Sequence, residues 1–220
     1  MRVLVACEYS GIVRDAFTAK GHDAWSCDIL PTESPGNHYE GDVLQHLDKG
    51  WDLMIAHPPC THLAVSGARW FTEGKKSWSL QEEALDFVKK LMDAPIPRIA
   101  IENPVSVIST KIKKPTQIIN PFEFGHPIPK KTCLWLKNLP KLKATKIVEP
   151  EMIEKNGYRM SKFHYETFKL PKELRGKVRS RFYTGIAEAM AEQWSFNEEN
   201  NNTLQTQRTA TTDSSGDETI

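Results

Sequence analysis

Short apolar runs alternate along the chain with segments whose apolar residues recur at helical spacing. Five runs predict buried strands because they are apolar, β-rich and bounded by turn residues. They cover residues 2–7, 22–27, 53–56, 98–101 and 132–136. Alternation of such strands with helices is typical of α/β domains with a mostly parallel sheet.

Three segments predict helices. The first begins near Ile12 and ends at Lys20-Gly21, a cation followed by a glycine C-cap. We expect the second to begin at Ser79, with Glu82 completing a capping box, and to end before Pro95. The last has its apolar face at residues 186, 187, 190, 191 and 194.

The remaining segments lack a clear period. Residues 70–78 are polar and predict a mobile loop, residues 111–129 are rich in Pro and Lys, and residues 141–179 are basic, studded with aromatics and irregular. Residues 197–220 are polar and predict a disordered tail. The other 196 residues suffice for one domain with a sizeable core.

Charge is unevenly distributed although the formal net charge is only +1. Residues 130–181 hold fifteen Lys and Arg against five Asp and Glu. This excess predicts a surface facing a polyanion, although a solvated Lys-rich surface would give the same pattern. The cations that we predict to contact nucleic acid are Lys130, Lys131, Lys162, Arg179 and Arg181.

The four cysteines are far apart and form no C-x-x-C pair, which argues against a zinc site and a secreted disulfide framework. His57 and His62, five residues apart, are more typical of polar loop contacts than of a metal site. No apolar run approaches the ~20 residues of a membrane span, and nothing resembles a signal peptide. We therefore expect a cytoplasmic protein that does not bind a membrane. We also expect it to need no obligate protein partner.

Candidate chemistry follows two of the predicted strands. Pro58-Pro59 ends the run at residues 53–56, and Cys60 comes next. Glu102 follows the run at residues 98–101. If these strands are parallel neighbours, both side chains reach the carboxyl edge of the sheet, where such folds bind ligands. Cys60 is a candidate nucleophile there, the alternative being a small buried cysteine that only packs.

The first strand, turn, helix and second strand form a unit typical of nucleotide-type cofactor sites. Its turn, residues 8–11, has one glycine and no G-x-G-x-x-G pattern, so dinucleotide binding is not supported. Asp28 ends the second strand, where an acid binds ribose hydroxyls, and Asp42 is a second acid 14 residues later. The alternative is that Asp28 caps the next loop.

A cysteine and a carboxyl group beside a cofactor site suit attack on a pyrimidine ring. C5 of cytosine is a poor nucleophile, and thiolate addition at C6 makes it enamine-like. A carboxyl group at N3 and the exocyclic amine stabilises the charge that develops on the ring. C5 can then accept a methyl group from a sulfonium donor.

These residues resemble the motifs of the DNA cytosine-5 methyltransferase family, especially its short phage-type members. Pro58-Pro59-Cys60 resembles the family's Pro-Cys motif, and Glu102-Asn103-Pro104 resembles its Glu-Asn-Val motif. Lys130-Lys131-Thr132 lies where the family has a Gln-x-Arg-x-Arg segment, and residues 181–194 resemble its C-terminal motif. The resemblance covers residues 2–195.

The resemblance implies a Rossmann-like S-adenosylmethionine-dependent methyltransferase fold, with a mostly parallel sheet and helices on both faces. It implies DNA as partner, a bacterial or phage-infected cell, and Cys60, Glu102 and Asn103 as catalytic residues. The implied catalytic domain comprises residues 1–137 and 181–196. Residues 138–180 are then a small basic insert that corresponds to a reduced target-recognition region. The S-adenosyl-L-methionine contacts that it implies are Glu8, Tyr9, Ser10, Gly11, Asp28, Ile29, Asp42 and Pro58.

Two other functions remain open. Amino-group methyltransferases, which act on N4 of cytosine or N6 of adenine, carry an Asp/Asn/Ser-Pro-Pro-aromatic motif that His57-Pro58-Pro59-Cys60 nearly matches. A non-catalytic nucleic-acid-binding protein on a methyltransferase fold is the second alternative. Formation of a covalent adduct between Cys60 and a 5-fluorocytosine oligonucleotide separates the catalytic from the non-catalytic function.

Overall fold

A seven-stranded sheet forms the centre of the computed structural model, which describes residues 1–195. The predicted tail, residues 197–220, lies outside the described residues. The strands are β1 (Arg2–Ala6), β2 (Asp23–Asp28), β3 (His38–Glu40), β4 (Leu53–Ala56), β5 (Arg98–Pro104), β6 (Gln117–Ile119), β7 (Thr132–Lys137), β8 (Met152–Lys155) and β9 (Tyr158–Ser161). The helices are α1 (Ile12–Ala19), α2 (Arg69–Thr72), α3 (Trp78–Met92), α4 (Ile108–Lys111), α5 (Lys162–Phe168), α6 (Lys172–Ser180) and α7 (Thr184–Gln193).

The strand order is β3-β2-β1-β4-β5-β7-β6, and β8 pairs with β9 in a separate hairpin. Strands β3, β2, β1, β4 and β5 are parallel, whereas β7 runs antiparallel to both β5 and β6. This order, with one reversed strand next to the edge, is that of the Rossmann-like S-adenosylmethionine-dependent methyltransferase fold. The predicted fold class is confirmed.

Side-chain alternation along the strands builds a core on each face of the sheet. Leu4, Met54 and Ile99 face the layer that contains α3, whose Val88 and Leu91 are fully buried. The alternate strand residues face the layer that contains α1 and α7. The predicted apolar face of the last helix is confirmed, since all five of its residues are buried.

The start of α3 differs from the one predicted from the sequence. Ser77, not Ser79, is the N-cap, and its hydroxyl accepts the Ser79 N–H at 3.2 Å. The helix therefore begins two residues early, and the predicted capping box with Glu82 does not form. Serine is equally suited to both positions, so local preference alone does not choose between them.

Three segments expected to be irregular contain regular structure. Residues 70–78 include most of α2, and residues 111–129 include β6. Residues 138–180, which we call the basic insert, hold the β8–β9 hairpin, α5 and α6. Among residues 1–195, no helix combines the length and apolar character needed to cross a bilayer.

Candidate active site at the carboxyl edge of the sheet

The two chemistry-bearing motifs lie on neighbouring parallel strands, as predicted. All four residues of β4 are buried, and Ala56 pairs with Ile101 of β5 at the carboxyl end. The His57-Pro58-Pro59-Cys60 loop and Glu102 therefore leave the sheet at the same edge. The packed strands position both motifs on rigid backbone.

Asn103 links the two motifs directly. Its side chain is fully buried, and Nδ2 donates a hydrogen bond of 2.8 Å to the Pro58 carbonyl oxygen. Asn103 Oδ1 is also buried and has no hydrogen-bond partner within residues 1–195. The structure thus places Asn103 and Pro58, two predicted site residues, against each other as a tie between β5 and the Cys60 loop.

Cys60 is exposed in a tight turn, and its carbonyl oxygen accepts the N–H groups of Leu63 and Ala64 at 3.0 and 2.9 Å. Desolvation of the thiolate, and next the negative charge of Glu102, raise the pKa of the Cys60 thiol. The positive charges of Lys130 and Lys76 oppose that rise in pKa. Cys60, Glu102 and two cations therefore interact electrostatically in one site.

The sequence predicted only polar loop contacts for His57, and the structure shows one with Glu102. Its Nδ1 lies 3.1 Å from Glu102 Oε2, and the two side chains are only 12% and 15% exposed. The ring also packs on Phe182, with centroids 4.6 Å apart. The strand pattern places both residues at this edge of the sheet, but it does not show which side chains there touch.

Two adjoining cavities open beside the motifs and share Cys7, Tyr9, His57 and Ser180 in their walls. One, of about 310 Å³, is also lined by Glu8, Ser10 and Glu102, and we call it the Glu102 cavity. The other, of about 370 Å³, is also lined by Asp28, Ile29 and Asp42, and we call it the Asp28 cavity. Six of the eight predicted cofactor residues thus line one of the two cavities, whereas Gly11 and Pro58 line neither. Pro59 lines the Asp28 cavity, and Cys60 lines neither cavity.

The buried carboxylate of Glu8 caps α1. It accepts the N–H groups of Val13 at 2.7 Å and Arg14 at 3.1 Å, and the Ser10 hydroxyl at 3.2 Å. Gly11 makes the turn with φ +75°, and a Cβ there would collide with the Arg14 guanidinium. Because the Glu8 carboxylate occupies the N-terminus of α1, a phosphate cannot bind to the N–H groups there.

The two acids of the Asp28 cavity hold the loops that follow them. Asp28 accepts the Leu30 N–H, and Asp42 accepts the Leu44 N–H, each at 3.0 Å. In each case the bond uses one carboxylate oxygen, and the other has no protein partner within residues 1–195. Loop capping and ligand binding, which the sequence posed as alternatives for Asp28, are thus compatible.

The predicted nucleic-acid contacts divide into two groups. Lys130 donates to the Arg179 carbonyl at 2.9 Å, Lys162 pairs with Glu151 at 3.0 Å, and the Arg179 guanidinium contacts the His164 ring. Lys131 and Arg181 are exposed, and Arg181 lines the Glu102 cavity. Lys131 and Arg181 are therefore more accessible to a ligand than the three cations that already contact other residues.

Residues 69–78, which we call the basic–aromatic segment, hold three cations that the sequence did not single out, and one of them, Lys75, pairs with Glu73 at 2.8 Å. Trp70 packs against Arg69 and Lys75, whose cations lie 4.5 and 4.7 Å from its ring. Phe71 stacks on Trp78 at 5.1 Å, and Lys76 donates to Thr61 O at 2.7 Å, next to Cys60. The grouping of Lys and Arg with aromatics, soon after the Cys60 loop, is the signal that was available in the sequence.

No protein-family model and no curated protein matched this chain. Solved structures similar to it include an E. coli prophage protein described as a DNA modification methyltransferase, with TM-score 0.43 and 13% identity over 69% of this chain. WbdD, solved with a kinase inhibitor, gives TM-score 0.37 and 12% identity over 73%, and the 16S rRNA methylase RmtB gives 0.31 and 16% over 62%. This chain covers 52%, 38% and 55% of those three chains, respectively.

Proposed function

We propose that the protein methylates C5 of cytosine in DNA through a covalent bond between Cys60 Sγ and C6 of the base. The observation that carries the proposal is the placement of Cys60 and Glu102 at one edge of the sheet, after β4 and β5, with Glu102 and the Cys60 loop residues His57 and Pro59 lining the two adjoining cavities. A nucleophile, a carboxyl group for the ring and a cofactor cavity are the parts that this reaction requires.

Cys60 and Glu102 divide the activation of the base between them. The Cys60 thiolate adds to C6, while Glu102 hydrogen-bonds N3 and the exocyclic amine and stabilises the charge that reaches the ring. After C5 has been alkylated, loss of the C5 proton re-forms the C5–C6 double bond and releases the thiolate. Because the pKa of Cys60 is raised, the reactive thiolate is a minor form at neutral pH, and we expect the rate of addition to increase with pH.

The cavity residues fit S-adenosylmethionine better than a phosphate-bearing nucleotide. Asp28 and Asp42 each offer a carboxylate oxygen for hydroxyl or amino groups, and Ile29 is 77% exposed beside them, ready to contact an adenine ring. Glu8 already fills the N-terminus of α1, which favours a cofactor without phosphates. When bound, S-adenosylmethionine supplies an electrophilic methyl group on a sulfonium.

Two features of the surface support DNA as the substrate. A cytosine must leave the base stack to reach Cys60. Lys131 and Arg181 are exposed cations, and the basic–aromatic segment adds exposed Arg69 and the 55% exposed ring of Trp78. Since the basic insert is short, we propose a short or relaxed target site with few base-edge contacts.

The product tests the function without assuming a target sequence. Nucleoside mass spectrometry of DNA from cells that express the wild type should show 5-methylcytosine, and Cys60→Ser should lower its amount on the order of 10³-fold or more. N4-methylcytosine or N6-methyladenine instead would establish the amino-group alternative.

A 5-fluorocytosine oligonucleotide tests the intermediate. The wild type should form a denaturation-resistant adduct that Cys60→Ser does not form, although both should bind S-adenosylmethionine equally well by calorimetry. Tight DNA binding with neither methylated base nor adduct would favour the non-catalytic alternative.

A further inference from the structure

His57 is held rigidly where the two cavities meet. Its backbone N–H donates to the Ala6 carbonyl at 2.9 Å, which ties the loop to β1, and its side chain lines both cavities. Phe182 covers the other side of the ring. The imidazole is therefore oriented by the fold before any ligand binds.

The surroundings of the two ring nitrogens favour one tautomer. Nδ1 faces Glu102 Oε2 at 3.1 Å, whereas Nε2 is buried without a hydrogen-bond partner within residues 1–195. A proton on Nε2 would be a buried donor without an acceptor, and Nδ1 would then point a lone pair at the carboxylate. A proton on Nδ1 instead makes a hydrogen bond to Glu102.

We propose that His57 is a positioning residue that fixes the Glu102 carboxyl group by donating its Nδ1–H to Oε2. The terminal torsion of a glutamate is broad, so an unanchored carboxyl group rotates freely. Oε2 accepts the His57 Nδ1–H with one lone pair and keeps the other for an N–H of the exocyclic amine, while Oε1 remains to share a proton with N3 of the target base. This inference rests on the proposed function, because it assigns to His57 the orientation of the group that activates cytosine.

Two substitutions separate positioning from a need for the imidazole itself. His57→Phe keeps a ring of similar size but removes the donor, and we expect kcat for methylation to fall ~10–100-fold with little change in the KM for S-adenosylmethionine. His57→Asn places an amide N–H near the position of Nδ1–H and should restore kcat to within several-fold of the wild type. Rescue by Asn is the result that a merely structural role of the ring would not give.

His22→Phe is the matched control. His22 is also partly buried and bonded to another side chain, Ser195 at 2.6 Å, but it precedes β2 at the opposite edge of the sheet. It should retain wild-type kcat. Thermal unfolding of all three variants shows which losses of activity come from loss of fold.

A spectroscopic measurement tests the contact without relying on any variant. In the full chain labelled with ¹⁵N-histidine, the nitrogen shifts of His57 should report the Nδ1–H tautomer. The Nε2–H tautomer, or a His57→Phe variant as active as the wild type, would overturn the inference, as would His57→Asn no more active than His57→Phe. A wild type that yields neither 5-methylcytosine nor adduct would overturn the proposed function instead, while the nitrogen shifts would still decide the His57–Glu102 contact.

Discussion

The carboxyl edge of the sheet and the basic insert are built in opposite ways. At the edge, β4 is fully buried and Asn103, 1% exposed, ties β5 to the Cys60 loop. In the insert, Tyr158 and Phe168 are 73% and 62% exposed, and the hairpin pairs only with itself. The carboxyl edge is tightly packed, whereas the basic insert exposes large side chains such as Tyr158 and Phe168 to solvent.

Under the proposed function, the rigid edge carries the chemistry and the exposed insert carries the recognition. Reacting groups need positions fixed to a fraction of an ångström, which buried strands provide. Groups that follow a nucleic-acid backbone need charge and reach, which exposed side chains provide. The two regions meet at α6, where Lys177 pairs with Glu33 at 2.5 Å and both residues line the Glu102 cavity.

The largest effect is expected for an acid at the rigid edge. Asp28→Ala removes one or two charge-assisted hydrogen bonds to the cofactor, worth about 1.5–3 kcal/mol each, and should weaken S-adenosylmethionine binding on the order of 10–100-fold per bond. Calorimetry on the purified protein measures this, with exposed Asp48→Ala as the control. Unchanged affinity in Asp28→Ala would move the ribose contact to another residue of the cavities.

The second prediction compares how much the two regions contribute to the free energy of unfolding. Asn103→Leu leaves the Pro58 carbonyl without its partner in a buried site, and should lower the free energy of unfolding by ~1–3 kcal/mol. Tyr158→Ser, at the exposed hairpin, should change it by less than ~0.5 kcal/mol. Urea denaturation of both variants tests the contrast, and equal losses would show that the insert is packed as tightly as the sheet.

The smallest effect concerns single cations of the insert. Lys131→Gln should weaken DNA binding a few-fold and reduce the slope of log K against log salt by ~0.9, the value for one phosphate contact. Lys162→Gln should change the slope less, because Glu151 already neutralises Lys162. Fluorescence anisotropy over a salt series measures both, with Lys89→Gln on α3 as the control; a slope that falls equally in all three would mean that binding is not localised.

The sequence predicted the parts of the fold that are buried. The strands at residues 2–6, 53–56 and 132–137 and the face of α7 appear because burial on the sheet requires long apolar runs or a clear period. The insert is exposed, so its pattern is weak. Its hairpin nevertheless has a local signal that was overlooked, Asn156-Gly157, whose φ values of 52° and 76° suit a tight two-residue turn.

Much of the candidate site could be predicted for the same reason. Cys60 and Glu102 follow strands that the pattern reveals, and neighbouring parallel strands necessarily end at one edge. The use of Glu8 as a helix cap and the contact of His57 with Glu102 depend on distances between side chains, which no periodicity encodes.

The packing of α7 on α1 has a consequence for how the chain folds during synthesis. Val13 and Phe17 of α1 are completely buried, in a cluster with Ile186 and Met190. The apolar face of α1 is therefore covered only after residues 184–193, far later in the chain, have left the ribosome. We expect nascent chains that end before α7 to expose this face and to aggregate or recruit chaperones, which sets a lower limit on how far the protein tolerates truncation.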